Sequence, residues 1–502
     1  MQKTYDFILN RKFLLGLLVV YLMAFAASLW HRYIHIDENW FAEQSFYLAT
    51  EGVVRLKSLP GILGFDQQMF MYHKLMIYIG ALIVKLFGWS IYNFKIFVLI
   101  VCGIFFLIFY RYFITFRDEC PEKMFLLSSL MILLMPQMIA QAFTFRPEVL
   151  VMCCGFAAYF YLHAFLQKSF WWQAVLAGVF TGLAFFVTTN GLIFPVAGFV
   201  LLLIKRQWKG LLYFSVTTLL SSSLFCLDLW QPGHFQLFLD QMKNWPTRKL
   251  GESYLPGNLG SFLRLKIINL IDEQQRFFWS DRVMMVSALF FLSIVVAFNE
   301  LRRKYSDLFI YLIALILSLN ILGSHIAERY LVFYLPFMAM VIAIAMLKIK
   351  QKGHSVLKVV YILILALDLF FVGRSFVGTF RANTNEPAIH KAVLSHIPVS
   401  NDRIFAPWKF IFNGIGQYNI MAYHALEYYQ DDQPKKLGQE EAIQLLASKY
   451  HVKYLILDHD LTRDDQEEYP WFRGGIHEGI TSVKLIFKDD AYAVYQMNTL
   501  SR

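Results

Sequence analysis

The chain has 502 residues, of which 57% are hydrophobic and only 16% charged, against roughly 45–50% apolar and about 25% charged in soluble domains. One core cannot absorb that excess, because cores stop growing at about 250–300 residues, and a soluble globular protein is excluded. The net charge of +10 sits largely in short loops between apolar runs, which points to membrane topology and not to nucleic acid.

Lys3, Arg11 and Lys12 precede the first apolar run, Phe13 to Trp30. A run of about 18 apolar residues is long enough to cross a hydrocarbon core. It runs long for the apolar core of a signal peptide and is expected to be a retained signal anchor. About eleven spans are predicted, at 13–30, 94–110, 124–143, 149–166, 173–188, 191–204, 211–229, 283–299, 307–322, 330–347 and 356–373. Tyr72 to Phe87 is apolar but interrupted by His73, Lys74 and Lys85. It is predicted to lie at the outer interface with its lysines snorkelling.

Alternate loops are basic: Arg111, Arg117 and Lys123; Lys168; Lys205, Arg206 and Lys209; Arg302, Arg303 and Lys304; Lys348, Lys350 and Lys352. That side is expected to be cytoplasmic, with the N-terminus, which leaves the C-terminus outside. The outer stretch Gln231 to Arg282 is also basic, with Lys243, Arg248, Lys249, Arg264, Lys266, Arg276 and Arg282. An anionic substrate on that side would explain it.

After Gly373 charges occur throughout. Helices are predicted over Glu386–His396 and Gln439–Tyr450, strands over Arg403–Ala406 and Lys453–Asp458, and a hairpin over Val483–Met497. The expected fold class is therefore a polytopic α-helical membrane protein with a small C-terminal α/β extracytoplasmic domain. The expected division is a membrane domain over 1–373, with interfacial helices at 31–93 and an outer loop at 230–282, and a soluble domain over 374–502. The tail offers no triad, phosphate loop or metal cluster. Cys102, Cys120, Cys153, Cys154 and Cys226 lie in or between apolar runs without metal-ligand spacing, so no disulfide scaffold is expected.

Three short polar clusters fall on the outer face. The first is His35-Ile36-Asp37-Glu38, just after the first span. First-turn acids ordinarily offset a helix dipole, but a carboxylate pair at a membrane surface also suits a general base or a divalent cation. The second is Arg146-Pro147-Glu148, and the third runs from Gly323 through His325, Glu328, Arg329 and Tyr330. Asp228 and Asp368 are the main carboxylates within spans, both near outer ends. Transporters place polar groups near the midplane and show repeated halves, and neither feature is visible.

An Asp-Glu pair after the first span, an interfacial helix and an Arg-Pro-acid motif before the fourth span resemble the C-type (GT-C) glycosyltransferases. The likeness is to family 39, the dolichyl-phosphate-mannose-protein mannosyltransferases, and to the bacterial aminoarabinose transferases. Tyr72–Leu86, Phe87-Gly88-Trp89-Ser90, Phe94-Lys95, Leu176–Pro195 and the His325, Glu328-Arg329-Tyr330, Pro336 series carry it over residues 10–350. The chain departs from the family pattern at Leu75-Met76, where relatives often have Pro-Pro, at Lys95, where they have Arg, and at Glu148, where many have Asp.

The resemblance implies a polyprenyl-phosphate-sugar-dependent hexosyl- or pentosyltransferase acting on a lipid, glycan or protein hydroxyl at the outer face, with inversion. Asp37 would be the key carboxylate, supported by Glu38, with Glu148 a second acid. Lys74 would meet the carrier phosphate, beside the candidate substrate-binding residues His73, Arg146, His325, Glu328, Arg329 and Tyr330. A divalent cation is a candidate cofactor. The implied setting is the inner (cytoplasmic) membrane of a bacterium, with a periplasmic C-terminal domain and no nucleic-acid partner. The alternative is a transporter, flippase or ligase of lipid-linked sugars.

Overall fold

The structure is a computed structural model that describes residues 2–116, 120–244, 259–278, 280–322, 327–352, 355–382, 385–431, 439–458 and 483–497. The helices in chain order begin with α1 (Gln2–Ile8), α2 (Arg11–Ala27), α3 (Ile36–Glu51), α4 (Lys74–Phe87), α5 (Ile91–Phe116), α6 (Pro121–Leu134) and α7 (Pro136–Gln141). They continue with α8 (Pro147–Lys168), α9 (Trp171–Val187), α10 (Ile193–Ile204), α11 (Trp208–Ser222), α12 (His234–Lys243) and α13 (Leu259–Phe278). Next come α14 (Asp281–Arg303), α15 (Ser306–Leu322), α16 (Leu331–Lys352) and α17 (Ser355–Ala382).

All eleven predicted spans are helical, but they are not equal. Among the described residues, six stretches are long and apolar enough to cross a membrane, built on α2, α5, α8, α14, α16 and α17. The rest are shorter. Pro136, which cannot donate an N–H, separates α6 from α7, and the 3-10 turn Thr189–Leu192 separates α9 from α10. The last helix continues past the expected end at 373 to Ala382.

Exposed apolar side chains recur at helical spacing on the outside of the bundle. Ile96, Ile100 and Ile104 on α5, and Leu363, Leu367 and Phe370 on α17, are exposed. In water that stripe would be a liability; in lipid it is the solvated face. By contrast α16 is buried from Leu331 to Met346 and forms the bundle's axis.

Polar contacts gather at the two ends. At one end Arg11 pairs with Glu122, Lys350 with Asp6, and Asp307 with both His163 and Lys205. These residues come from α1, the N-terminal ends of α2, α6 and α15 and the C-terminal ends of α8, α10 and α16, so these helices alternate in direction as predicted. At the other end lie α3, α4 and the candidate site residues.

The segment predicted to lie at the interface forms α4, whose 14 residues rise about 21 Å, short of a hydrocarbon core of about 30 Å. It packs on α3 so closely that a Cβ at Gly80 would overlap Ser45 and Phe145.

The tail forms α18 (Glu386–Leu394), α19 (Ile411–Gly414), α20 (His424–Asp431) and α21 (Gln439–Tyr450) around a five-stranded sheet. Strands β1 (Arg403–Ala406), β2 (Asn419–Ala422), β3 (Val452–Asp458), β4 (Val483–Lys488) and β5 (Tyr492–Met497) are ordered β2-β1-β3-β5-β4. The first three pair parallel and the last three antiparallel. The hairpin turns at Asp489-Asp490, as predicted. Strand β2 is an addition, four residues long.

This sheet unit is bonded to the end of the bundle that carries the candidate site. The Trp408 indole donates to Glu43 at 3.0 Å, Trp89 donates to the Phe412 carbonyl at 3.0 Å, and the Ala422 N–H donates to the Ser58 carbonyl at 2.9 Å.

Candidate active site

Helix α3 is capped by His35, whose ring accepts the Asp37 N–H at 3.1 Å, while Glu38 reaches back to accept the His35 N–H at 2.9 Å. This reciprocal cap satisfies two orphan donors of the first turn. It also sends the two adjacent carboxylates in different directions.

Glu38 points inward and is fully buried. It accepts from Lys95 Nζ at 2.9 and 3.1 Å and from the Phe145 N–H at 3.0 Å. Lys95 also donates to the carbonyls of Tyr33 and Phe143, each at 3.2 Å. The pair thus ties α3, α5 and the turn before α8 into one frame.

Asp37 points toward the mouth of the bundle, about a third exposed. Its carboxylate accepts from Arg146 Nη1. The same guanidinium grips Glu148 with two bonds, Nε at 3.2 Å and Nη2 at 2.9 Å. Such a fork is the strongest arrangement open to arginine and carboxylate. Pro147, at the first position of α8, fixes the turn that lets residues 146 and 148 face each other.

Arg329 joins from the 3-10 turn Glu328–Tyr330, with Nε 3.7 Å from Glu148, and its side chain is 41% exposed. Glu328 accepts from the Ser280 hydroxyl at 3.3 Å, and the guanidinia of Arg276 and Arg329 lie over the Tyr330 ring, 5.5 and 5.2 Å from its centre. His325 lies outside the described residues.

Burial tends to raise the pKa of Asp37, but Arg146, then His35, Arg329 and His424, outweigh it and hold the carboxyl below its ordinary range. Asp37 therefore stays an anion at any pH near neutral. His73, the residue before α4, shares this field and packs edge-on against Phe41. Burial pushes its pKa down to about 4, leaving the imidazole neutral.

Lys74 turns the other way. It is 1% exposed and paired with Asp228, which also accepts from the Tyr72 hydroxyl at 2.7 Å. The sequence reading assigned Asp228 no partner, and assigned Lys74 to a phosphate.

Sequence reasoning missed the contribution of the tail. His424, at the start of α20, is buried, lies 4.8 Å from Trp408 ring to ring and feels the charge of Asp37. Trp408 in turn packs on Trp40 of α3 at 5.2 Å. A lone His after Ala422-Tyr423 gave no local signal of this.

For a divalent cation the surroundings fit poorly. Among the described residues no three His, Cys, Asp or Glu side chains could hold a metal ion. The nearest donors, Asp37 and His35 at 3.9 Å, share their space with the Arg146 guanidinium, and a second cation there would be repelled.

Comparisons with known proteins agree with this architecture. The sequence profile of glycosyltransferase family 87 matches residues 79–324, just under half of the chain. No curated protein matches by sequence. ArnT from Cupriavidus metallidurans bound to undecaprenyl phosphate superposes with a TM-score of 0.59 at 13% identity, over 98% of this chain and 99% of that one. The archaeal oligosaccharyltransferase AglB from Archaeoglobus fulgidus, in complex with an inhibitory peptide and a dolichol-phosphate, gives a TM-score of 0.51 at 13% identity, over 88% of this chain and 69% of that one. The apolar bundle with its mouth and the C-terminal sheet unit give this multi-pass membrane chain the fold of these solved structures, and residues 79–324 resemble glycosyltransferase family 87.

Proposed function

We propose that the protein transfers one sugar from a polyprenyl-phosphate carrier to a hydroxyl of a lipid, glycan or protein acceptor, on the outer face of a bacterial inner membrane, with inversion at the sugar carbon. The observation that carries this reading is the Asp37–Arg146–Glu148 constellation with Arg329 beside it. It places an ionised carboxylate and an accessible cation in one mouth at the end of an apolar bundle.

The chemistry asks for little more. The acceptor oxygen attacks the anomeric carbon as the bond from that carbon to the phosphate oxygen breaks, and the electron pair leaves with the polyprenyl phosphate. Asp37 accepts the hydroxyl proton as the new bond forms, then returns it to water. Arg329 offsets the charge that gathers on the departing phosphate. Glu148, buried and bound to Arg146, acts as a positioning residue for Asp37. Glu38 does the same through Lys95. Lys74 reaches the phosphate only when Asp228 releases it, so phosphate and Asp228 compete for one ammonium.

The undecaprenyl phosphate of the ArnT structure and the dolichol-phosphate of the AglB structure support the donor class. The test is product analysis. Protein in nanodiscs would meet a panel of polyprenyl-phosphate sugars and a crude acceptor extract, and the new glycosidic bond would be read by NMR. A product of inverted anomeric configuration is expected. A retained configuration would overturn single displacement, and movement of the lipid-linked sugar across the bilayer without bond formation would favour a flippase.

A further inference from the structure

We propose that the cavity between the second half of α3 and the C-terminal sheet unit is a saccharide-binding site that holds a neutral sugar of the acceptor. That it serves the acceptor rests on the transferase reading above; that it binds saccharide does not.

The cavity has a volume of about 500 Å³, within the range of about 300–1,000 Å³ usual for small-molecule sites. Phe46, Tyr47 and Thr50 of α3 form one wall, and Gln417, Tyr418 and Asn419 form the other. The walls are fixed in place. The Tyr418 hydroxyl donates to the Leu394 carbonyl at 3.1 Å, which holds its ring. The Trp408–Glu43 bond and the Ala422–Ser58 backbone bond lock the sheet unit to α3 and to the loop after it. Gly416, with φ of +81°, takes the left-handed turn that brings this wall beside Phe46.

The lining selects the class of ligand. Lys57, the cation of the lining, pairs at 2.9 Å with Glu51, which also binds Arg55 outside the lining. Glu43 is already satisfied by the Ser58 N–H at 2.9 Å, the Ser58 hydroxyl and the Trp408 indole. The cavity therefore presents no spare positive charge for a phosphate. Its amides and hydroxyls suit a lipid chain equally badly, since each would lose hydrogen bonds against hydrocarbon. A sugar ring answers both features, with a C–H face for the aromatic side chains and a rim of hydroxyls for Gln417, Asn419 and Thr50.

Position fits the role. Glu43 and Thr50 stand six and thirteen residues beyond Asp37 on the same helix, or about 9 and 20 Å along its axis. A glycan of a few units held here would point its end at the reacting centre.

The test titrates the full-length protein in nanodiscs with fluorescently labelled neutral di- and trisaccharides. A labelled tripeptide and inorganic phosphate serve as parallel probes. Tyr418→Ala removes the fixed ring. Gln417→Ala removes an exposed amide whose loss leaves the packing intact, and thermal melting checks both variants. Saturable saccharide binding is expected, weakened about tenfold by Tyr418→Ala, or about 1.4 kcal/mol, and measurably by Gln417→Ala. Absence of saccharide binding, equal binding by all three proteins, or preference for the peptide or phosphate would overturn the site. Saccharide binding that the variants weaken, in a protein that cleaves no polyprenyl-phosphate sugar, would uphold the site and sink the transferase reading.

Discussion

The guanidinium of Arg146 lies against the carboxylate of Asp37, although 109 residues separate them in the chain. Two further bonds hold the guanidinium to Glu148, so the acid that faces the mouth is oriented by one that does not. Arg146→Lys keeps the charge but cannot serve both carboxylates in a fork. Sugar transfer is expected to fall about a hundredfold, about 2.7 kcal/mol in barrier terms, with thermal stability lowered only modestly. A Lys variant with full activity would remove Arg146 from the positioning of Asp37.

The Glu38–Lys95 pair is expected to matter for stability. Both side chains are essentially buried, and breaking such a pair from one side costs about 3–5 kcal/mol because the partner charge is stranded. Glu38→Gln and Lys95→Met should each lower the melting temperature of the detergent-solubilised protein. The double variant should recover part of the loss. Losses that simply add would contradict direct coupling.

Acid should destabilise the protein above the usual carboxylate range. His73 and His424 are held neutral, with pKa values of about 4, where an unfolded chain has about 6.5. The unfolded state therefore takes up protons first as pH falls. The stability due to these groups is complete above about pH 6.5 and is lost toward pH 4, at up to about 1.4 kcal/mol per pH unit for each His. Glu43, whose pKa burial raises, works in the opposite direction. Asp37, held below its ordinary value, contributes only below about pH 4. In melting curves taken between pH 6.5 and 5, His424→Phe should flatten the slope while keeping a ring beside Trp408. An unchanged slope would show that His424 titrates normally.

Chelation should leave activity in place. Arg146 already supplies positive charge at Asp37, which is the position a metal would need. Transfer after exhaustive treatment with EDTA is expected to match the untreated rate. A loss restored by Mg²⁺ or Mn²⁺ would place a cation in the mechanism and require Arg146 to move.

Much of the fold was legible because apolar runs and their basic loops are local signals. All eleven runs became helices, and α21 and β1 have their predicted bounds. Length was less legible, because Pro136 and the turn at Thr189–Leu192 divide apolar sequence without interrupting its composition. Strand β2, four residues beside a glycine turn, is too short for alternation to show.

The site divides in the same way. Asp37, Arg146, Glu148 and Arg329 stood out as charges at the edges of apolar runs, and the fold brings them together. Adjacent letters hid opposite roles at Asp37-Glu38 and at His73-Lys74, where one helical step sends neighbours to different partners. Asp228 as the partner of Lys74, and Trp408 and His424 at α3, depend on contacts across 154 residues or more, which spacing along the chain cannot reveal.

The most direct measurement is release of polyprenyl phosphate by the wild-type protein and by Asp37→Asn, side by side in nanodiscs with the same donor and acceptor. Proton acceptance by Asp37 predicts release that falls about a hundredfold in the variant, a barrier increase of about 2.7 kcal/mol, with donor binding retained. Equal release by the two proteins would contradict it and remove Asp37 from the reaction.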